Sequence, residues 1–359
     1  LKLKKLTAMI LLGIFAFGSF SVSNAASREE ISAIKVETSS DFKYWNENSA
    51  TLQKIVNFVE DVTNTASKNF IPVGDRVATF DMDGTFYCET APIYFQESMF
   101  FYRALEDKNF SAPKDMVNFA KKIKPKVFNK TGLTKAETKK HFEYLTKAYA
   151  GMTDEEYRAY VRNFMQTNEV GFTNLKRGEA FYLPMVEIIS YLSNNGFDVY
   201  IDSACGVSTT RELIGDIFPI RYDRILGSDF VYTSTNMKKD LPNEHFFDRH
   251  KEKIIISGEP LKDNAKTRKI LSIINQIGKK PVLAFGNSSG DTSMFEYTLQ
   301  NNKYNSMAFY VLCDDTEREL GKPARAESEK KFAAERGYNT ISMRDDWKTI
   351  YGDNVKVAK

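Results

Sequence analysis

The chain has 359 residues, of which 42% are hydrophobic, and carries 50 Lys and Arg against 47 Asp and Glu. The small positive excess comes from Lys2, Lys4 and Lys5; the remainder is electrically balanced and offers no footprint for nucleic acid or an anionic membrane as partner. Three cysteines, Cys88, Cys205 and Cys313, are too few for a disulfide framework, and His141, His245 and His250 are scattered without metal-ligand spacing.

In chain order, the basic start is followed by an uncharged run from Leu6 to Val22. Ser23 and Ala25 then supply small residues where a signal peptidase reads, so residues 1–25 are expected to be a cleavable signal peptide and the mature chain periplasmic or secreted. Gly13, Gly18 and Ser19 interrupt the apolar run, which looks weak for a stable membrane span. Residues 26–50 are polar and read as an arm or short helix. Leu52, Ile55, Val56, Val59 and Val62 recur at helical spacing and predict an amphipathic helix over 51–69.

Val77-Ala78-Thr79-Phe80 reads as a buried strand within 76–81. From 91 to about 166 the chain reads as helix after helix, with starts at Ser111-Ala112-Pro113 and Thr153-Asp154-Glu155-Glu156. Alternation of strand and helix then resumes. A helix opens at Pro184 and ends at Gly196, a strand occupies 197–201, a helix 209–217, and strand-like pieces 224–234 and 253–257. A helix at 263–277, a strand at 281–285, a helix start at 290–297 and strands at 307–312 and 338–343 complete the series. The pattern predicts an α/β fold, a Rossmann-like and mainly parallel sheet with helices on both faces, interrupted by an all-helical insertion.

The segment Asp81-Met82-Asp83-Gly84-Thr85 ends the first strand. Side chains alternate along a strand, so two carboxylates two residues apart can point to the same side. Like charges held that close repel. The pair makes sense if a cation sits between them, or if one carboxylate attacks while the other moves a proton; an acidic turn closed by Gly84 is the plain alternative. Active groups in open parallel sheets gather at the carboxyl ends of the strands. Asp202 and Ser203 follow the strand at 197–201, Lys266 opens the helix after 262 with Lys262 as a nearby rival, and Asn287-Ser288-Ser289-Gly290-Asp291 follows the strand at 281–285. Cys88 and Cys205 each lie close behind such a motif, so a bridge between them is conceivable in an oxidising compartment.

The four motifs in order, DMDGT, a Ser ending an apolar strand, a Lys and a GNSxxD loop, make the chain from Arg76 to Trp347 resemble the haloacid dehalogenase superfamily on its phosphatase side. The stretches FDMDGTFYCETAPIYFQ, YLPMVEIISYLSNNGF and AFGNSSGDTSMFEY look more narrowly like exported phosphoserine-phosphatase-like hydrolases of bacteria. The resemblance implies a phosphomonoesterase acting on small organic phosphates, with Asp81 as nucleophile accepting the phosphoryl group and Asp83 as general acid and base. It implies that Thr85, Ser203 and Lys266 hold phosphate oxygens, and that Mg²⁺ is bound by Asp81, the Asp83 carbonyl and the loop carrying Asn287 and Asp291. Asp83 speaks against a dehalogenase.

Many relatives have Asp where this chain has Asn287. A neutral amide oxygen is a weaker ligand for a hard cation, and Asp291 would then supply charge directly or through water. Glu89, near the place of a glutamate that holds the amine of phosphoserine in relatives, is a substrate-binding candidate, with Tyr87, Tyr94, Phe95 and Gln96 beside it. A tyrosine cluster could also hold a quaternary ammonium. The implied division is a signal at 1–25, an arm and helix at 26–75, a core of 76–87 and 177–347, a helical cap at 88–176 and a tail at 348–359. Transfer of the phosphoryl group to an acceptor other than water, and a non-catalytic periplasmic binding protein on the same scaffold, remain as alternatives.

Overall fold

The computed structural model describes residues 25–89, 92–238 and 242–358; the expected signal segment, up to residue 24, lies outside them. Ten strands are present among the described residues. They are β1 (Val77–Phe80), β2 (Phe172–Thr173), β3 (Asp198–Gly206), β4 (Ile225–Ser228), β5 (Tyr232–Ser234), β6 (Ile254–Ile256), β7 (Leu283–Gly286), β8 (Met307–Leu312), β9 (Asn339–Ser342) and β10 (Lys356–Val357). Six form one sheet in the order β4-β3-β1-β7-β8-β9, and every pairing in it is parallel.

Every residue of β1, β4 and β7 is buried. Side chains alternate across a strand, so burial of all of them means that both faces of the sheet are covered. Phe80, Phe285 and Phe309 stand in register on β1, β7 and β8. Their rings stack at centroid separations of 4.3 and 5.0 Å, a cross-strand ladder in which each contact adds about 0.5–1.5 kcal/mol beyond its buried area.

The covering helices are α1 (Arg28–Ser32) and α2 (Ala50–Thr63) before β1, and α3 (Phe95–Leu105), α4 (Lys114–Phe128), α5 (Lys135–Lys147) and α6 (Asp154–Met165) after it. They continue with α7 (Leu183–Asn194), α8 (Val207–Ile214), α9 (Thr267–Ser272), α10 (Thr292–Leu299) and α11 (Pro323–Glu335). The expected insertion is the run α3 to α6. Thr153 caps α6 through a reciprocal bond with Glu156, and Thr134 caps α5 in the same way with Glu137, which fixes where those helices begin. The helix expected over 51–69 stops at Thr63, where Asn64 takes an extended backbone.

Three differences from the sequence expectation concern the ends of the chain. Helix α11 had no strong apolar period and was not expected; it buries only Ala326 and Ala333. The segment at 26–50, expected as an arm or short helix, holds the short helix α1 and is part of the core, with Trp45 packed edge-on against Trp347 at 6.3 Å. The expected tail is also folded in over 348–358: Ile350 and Tyr351 are buried, and β10 pairs antiparallel with β2.

The chain builds β3 and β4 on one side of β1, then crosses to place β7, β8 and β9 on the other. That reversal is a topological switch point, and a crevice opens there beyond the carboxyl ends of the strands.

Candidate active site

The Asp81 amide donates to the Phe285 carbonyl at 2.9 Å, one residue past the end of β1. The chain then turns sharply. The Met82 carbonyl accepts from the amides of Thr85, Phe86 and Tyr87, and the Gly84 amide donates to the Tyr87 carbonyl. Gly84 sits at φ +80°, and a Cβ there would lie 1.9 Å from Nδ2 of Asn287. Only glycine fits both the backbone and the space. Met82 is wholly buried while Asp81 and Asp83 line a common cavity of about 260 Å³, as strand alternation requires.

Ser203 reaches the same cavity from β3. That strand continues to Gly206, past the expected end at Ile201, and its register against β4 shifts between Asp202 and Gly206. The Ser203 hydroxyl accepts from the Cys205 amide at 3.1 Å, which leaves its proton free to donate. Asn264 braces this segment: Nδ2 donates to the Asp202 carboxylate at 2.8 Å and to the Ser203 carbonyl at 2.9 Å. Sequence reading passed over Asn264 because nothing along the chain links residue 264 to residue 202.

The cation of the site is Lys269. Its Nζ lies 2.7 Å from Asp81 Oδ1 and 2.8 Å from Asp291 Oδ1, and the side chain is almost completely buried. Burial disfavours the ammonium, but Asp291 and Asp81 outweigh it and hold its pKa above the ordinary lysine value. Lys266, the sequence candidate, lines the cavity but is exposed, and Lys262 is exposed as well. Lys266 adopts φ +57° just before α9, so the helix begins after it. The buried face of α9 and the turn that follows is then Lys269 and Ile273, spaced i, i+4. That i, i+4 pairing was the available signal.

Burial first, and then Asp291, raise Asp81 above the ordinary carboxylate value, with Lys269 opposing. Asp83 stands well above it as well, through burial and the charges of Asp81 and Glu89. Asp202 is pushed up to about 7 by burial. Glu97, on α3, lines the cavity and is pushed up to about 7 by burial; sequence reading did not single it out, since it looks like any surface helix carboxylate.

Two other candidates need correction. Thr85 is fully buried and is absent from the cavity wall; its hydroxyl finds no partner, so it is not placed to hold phosphate. Glu89 is also outside the cavity wall. Its Oε1 accepts from the Tyr94 hydroxyl at 2.8 Å and its Oε2 from Asn287 Nδ2 at 3.2 Å, so both oxygens are engaged within the protein.

Of the neighbouring aromatics, Tyr94 lines the cavity. Tyr87 is buried with its hydroxyl on the Arg177 carbonyl, and Phe95 packs on Phe164. Gln96 lines the cavity and accepts from the Gly206 amide through Oε1, while its Nε2 is buried without a partner. No disulfide joins cysteines among the described residues: Cys205 turns to Gln96 and Cys88 to Glu319, so the conceivable bridge between them is not formed. His141 is a packing residue between Phe100 and Phe101, lowered to about 4 by burial.

The cavity wall suits a divalent cation in charge and in donor type. The wall carries four carboxyl groups, Asp81, Asp83, Glu97 and Asp291, against the ammonium groups of Lys266 and Lys269, and Asp83 Oδ1 is buried without a partner. No cluster of three His, Cys, Asp or Glu side chains is arranged as a metal cage among the described residues. A cation here would therefore draw on mixed oxygen donors: the Asp81 carboxylate, the Asp83 carbonyl and the Asn287 amide, with water completing the shell.

Asp291 is committed elsewhere. Oδ1 holds Lys269, and Oδ2 accepts from the amides of Asn287 and Ser288 and from the Ser288 hydroxyl, each at 3.1 Å. It shapes the loop and the lysine; of the two roles expected for it, charge supplied directly or through water, this geometry favours the indirect one.

No family model and no curated protein matches the sequence. Among solved structures, the chain is similar to a conserved functionally unknown protein from Anaerococcus prevotii DSM 20548, with 14% identity, coverage of 86% of this chain and 94% of that one, and a TM-score of 0.49. It is similar to a protein with unknown function from Bordetella pertussis Tohama I, with 12% identity, coverage of 74% and 97%, and a TM-score of 0.47. It is also similar to cytosolic 5'-nucleotidase IIIB bound to cytidine, with 11% identity, coverage of 83% and 86%, and a TM-score of 0.45. Likeness at this level decides nothing about function; the α/β class follows from the parallel strand order and the burial of both sheet faces.

Proposed function

We propose that this chain is an exported, Mg²⁺-dependent phosphatase of the haloacid dehalogenase type that hydrolyses small organic phosphomonoesters through an aspartyl-phosphate. The observation that carries the reading is the placement of Asp81 and Asp83 on one cavity wall, with Lys269 bridging Asp81 and Asp291. Lys269 holds Oδ1 of Asp81, which orients the carboxylate and leaves Oδ2 to attack phosphorus. Burial and the charge of Asp81 shift Asp83 toward the protonated form, the form an acid needs to deliver a proton to the leaving oxygen. Once the alcohol has left, the same carboxylate is the base that activates water. Ser203 has a hydroxyl proton to donate to a phosphate oxygen. Mg²⁺, when bound, offsets repulsion between the anionic nucleophile and the phosphate dianion. Glu97 on α3, Phe142 and Leu145 on α5, and Tyr94 just before α3 also line the cavity, where they would restrict water and select the organic group.

Export rests on the amino-terminal segment alone; among the described residues no helix is long and apolar enough to cross a membrane. The test is phosphate release from an aryl phosphomonoester by the purified chain, with Mg²⁺ and after chelation. Release that needs Mg²⁺ and disappears in Asp81→Asn supports the reading. Release that survives Asp81→Asn contradicts it.

A further inference from the structure

The Asn287 amide has one end for a cation and one that repels it, since its oxygen accepts and its nitrogen only donates. Two contacts decide which end is which. Asn287 Nδ2 donates to Glu89 Oε2, and the same nitrogen packs against Gly84, close to where a Cβ would stand. Neither Gly84 nor Glu89 lines the cavity, whereas Asn287 does. The amide oxygen is the end left for the cavity. Glu89 is itself held, through its other oxygen, by the Tyr94 hydroxyl. The carboxylate is buried and feels the charge of Arg325.

We propose that Glu89 is a positioning residue that turns the Asn287 oxygen toward the cation of the phosphatase site and supplies, through one hydrogen bond, the negative charge that the neutral amide lacks. This rests on the phosphatase reading and deepens it. A carboxylate that accepts from an amide N–H polarises the amide and raises the basicity of its oxygen, as outer carboxylates do for metal-bound histidine. Asn287 and Glu89 together then stand in for a single acidic ligand. The arrangement accounts for a buried glutamate with both oxygens committed inside the protein, near enough to Asp83 to raise it.

The test is calorimetric titration of Mg²⁺ into the metal-stripped full chain, without substrate. Glu89→Gln, which can present either end to the amide, should weaken Mg²⁺ binding by about 10-fold or more. Tyr94→Phe, which only loosens Glu89, should weaken it less. Asn287→Asp alone sets a carboxylate against Glu89 and should not tighten binding. The double variant Asn287→Asp, Glu89→Gln should return to within about threefold of wild type.

Wild-type affinity in Glu89→Gln, or a double variant no tighter than Glu89→Gln, overturns the proposal while leaving the phosphatase reading intact. A wild-type chain that binds no Mg²⁺ overturns both. If Glu89→Gln loses its native circular dichroism, Tyr94→Phe and the double variant decide: unchanged affinity in the first and lost affinity in the second count against the proposal.

Discussion

The two walls of the cavity are built by different means. On the sheet side, Asp81 and Asn287 sit just past the ends of paired strands and Ser203 within one, and Lys269, Asp291 and Asn264 are tied to them by bonds of 2.7–3.1 Å. On the cap side, Glu97, Phe142 and Leu145 hang from helices, and Phe142 is 55% exposed. A backbone ladder holds reacting groups to the tolerance that chemistry needs, while side chains on helices can change without disturbing it. On the phosphatase reading, the contrast would give reaction to the sheet wall and selection to the wall built from α3 and α5.

Substitutions on the two walls should therefore separate in kind and in size. The largest effect is expected for Asp81→Asn, with turnover reduced by at least about 10⁴-fold and an unchanged circular dichroism spectrum; a modest loss would remove Asp81 from the role of nucleophile.

Lys269→Met leaves Asp81, Asp83 and Asp291 buried without a counter-charge and should lower stability by about 3–5 kcal/mol in urea unfolding. Lys266→Met, three residues away and exposed, should stay within about 0.5 kcal/mol of wild type. Equal effects would mean that α9 is docked differently on the sheet.

A smaller effect belongs to Asp202, whose folded pKa of about 7 lies above the ordinary 3.8. The folded state then holds a proton that the unfolded state releases. Its contribution to stability is present below the unfolded pKa and is lost as pH rises through the window from about 4 to about 7. Wild type should thus lose stability relative to Asp202→Asn across that window, by up to about 4 kcal/mol, in paired denaturation curves from pH 4 to 8. Parallel curves would show that Asp202 is ionised throughout.

The smallest effect is expected for Phe142→Ala on the cap wall, with KM for a preferred substrate raised by about 3- to 10-fold and kcat nearly unchanged. A fall in kcat with KM constant would place Phe142 on the reacting side and break the division.

Much of the sheet wall could be read along the chain. Asp81 and Asp83 are two residues apart on one strand end, and alternation puts them on one side whatever the rest of the fold does. Ser203 and Asn287 follow apolar strands in the same local way. Glu89 was found for the wrong partner: its nearness to the first motif was visible, but not that Tyr94 and Asn287 would occupy both its oxygens. The lysine was misplaced by three residues because the choice depends on where α9 starts, and Lys266 at φ +57° delays that start. Helix α11 and the packed carboxyl end escaped notice because their burial is sparse and long-range, with β10 pairing to β2 across about half of the chain.

What the sequence determined by itself was local: the parallel α/β alternation, the helical insertion, and the polar residues that end each strand. These follow from periods of two and of 3.6 and from turn chemistry, which act between near neighbours. The tertiary structure alone decided which lysine lies between Asp81 and Asp291, which oxygens of Asp291 and Glu89 are already spent, and which cap residues face the crevice. Those outcomes depend on the rotation of each helix against the sheet and on contacts between residues up to about 200 positions apart in the chain, such as Glu89 and Asn287, where packing and charge compensation, and not local propensity, set the energy.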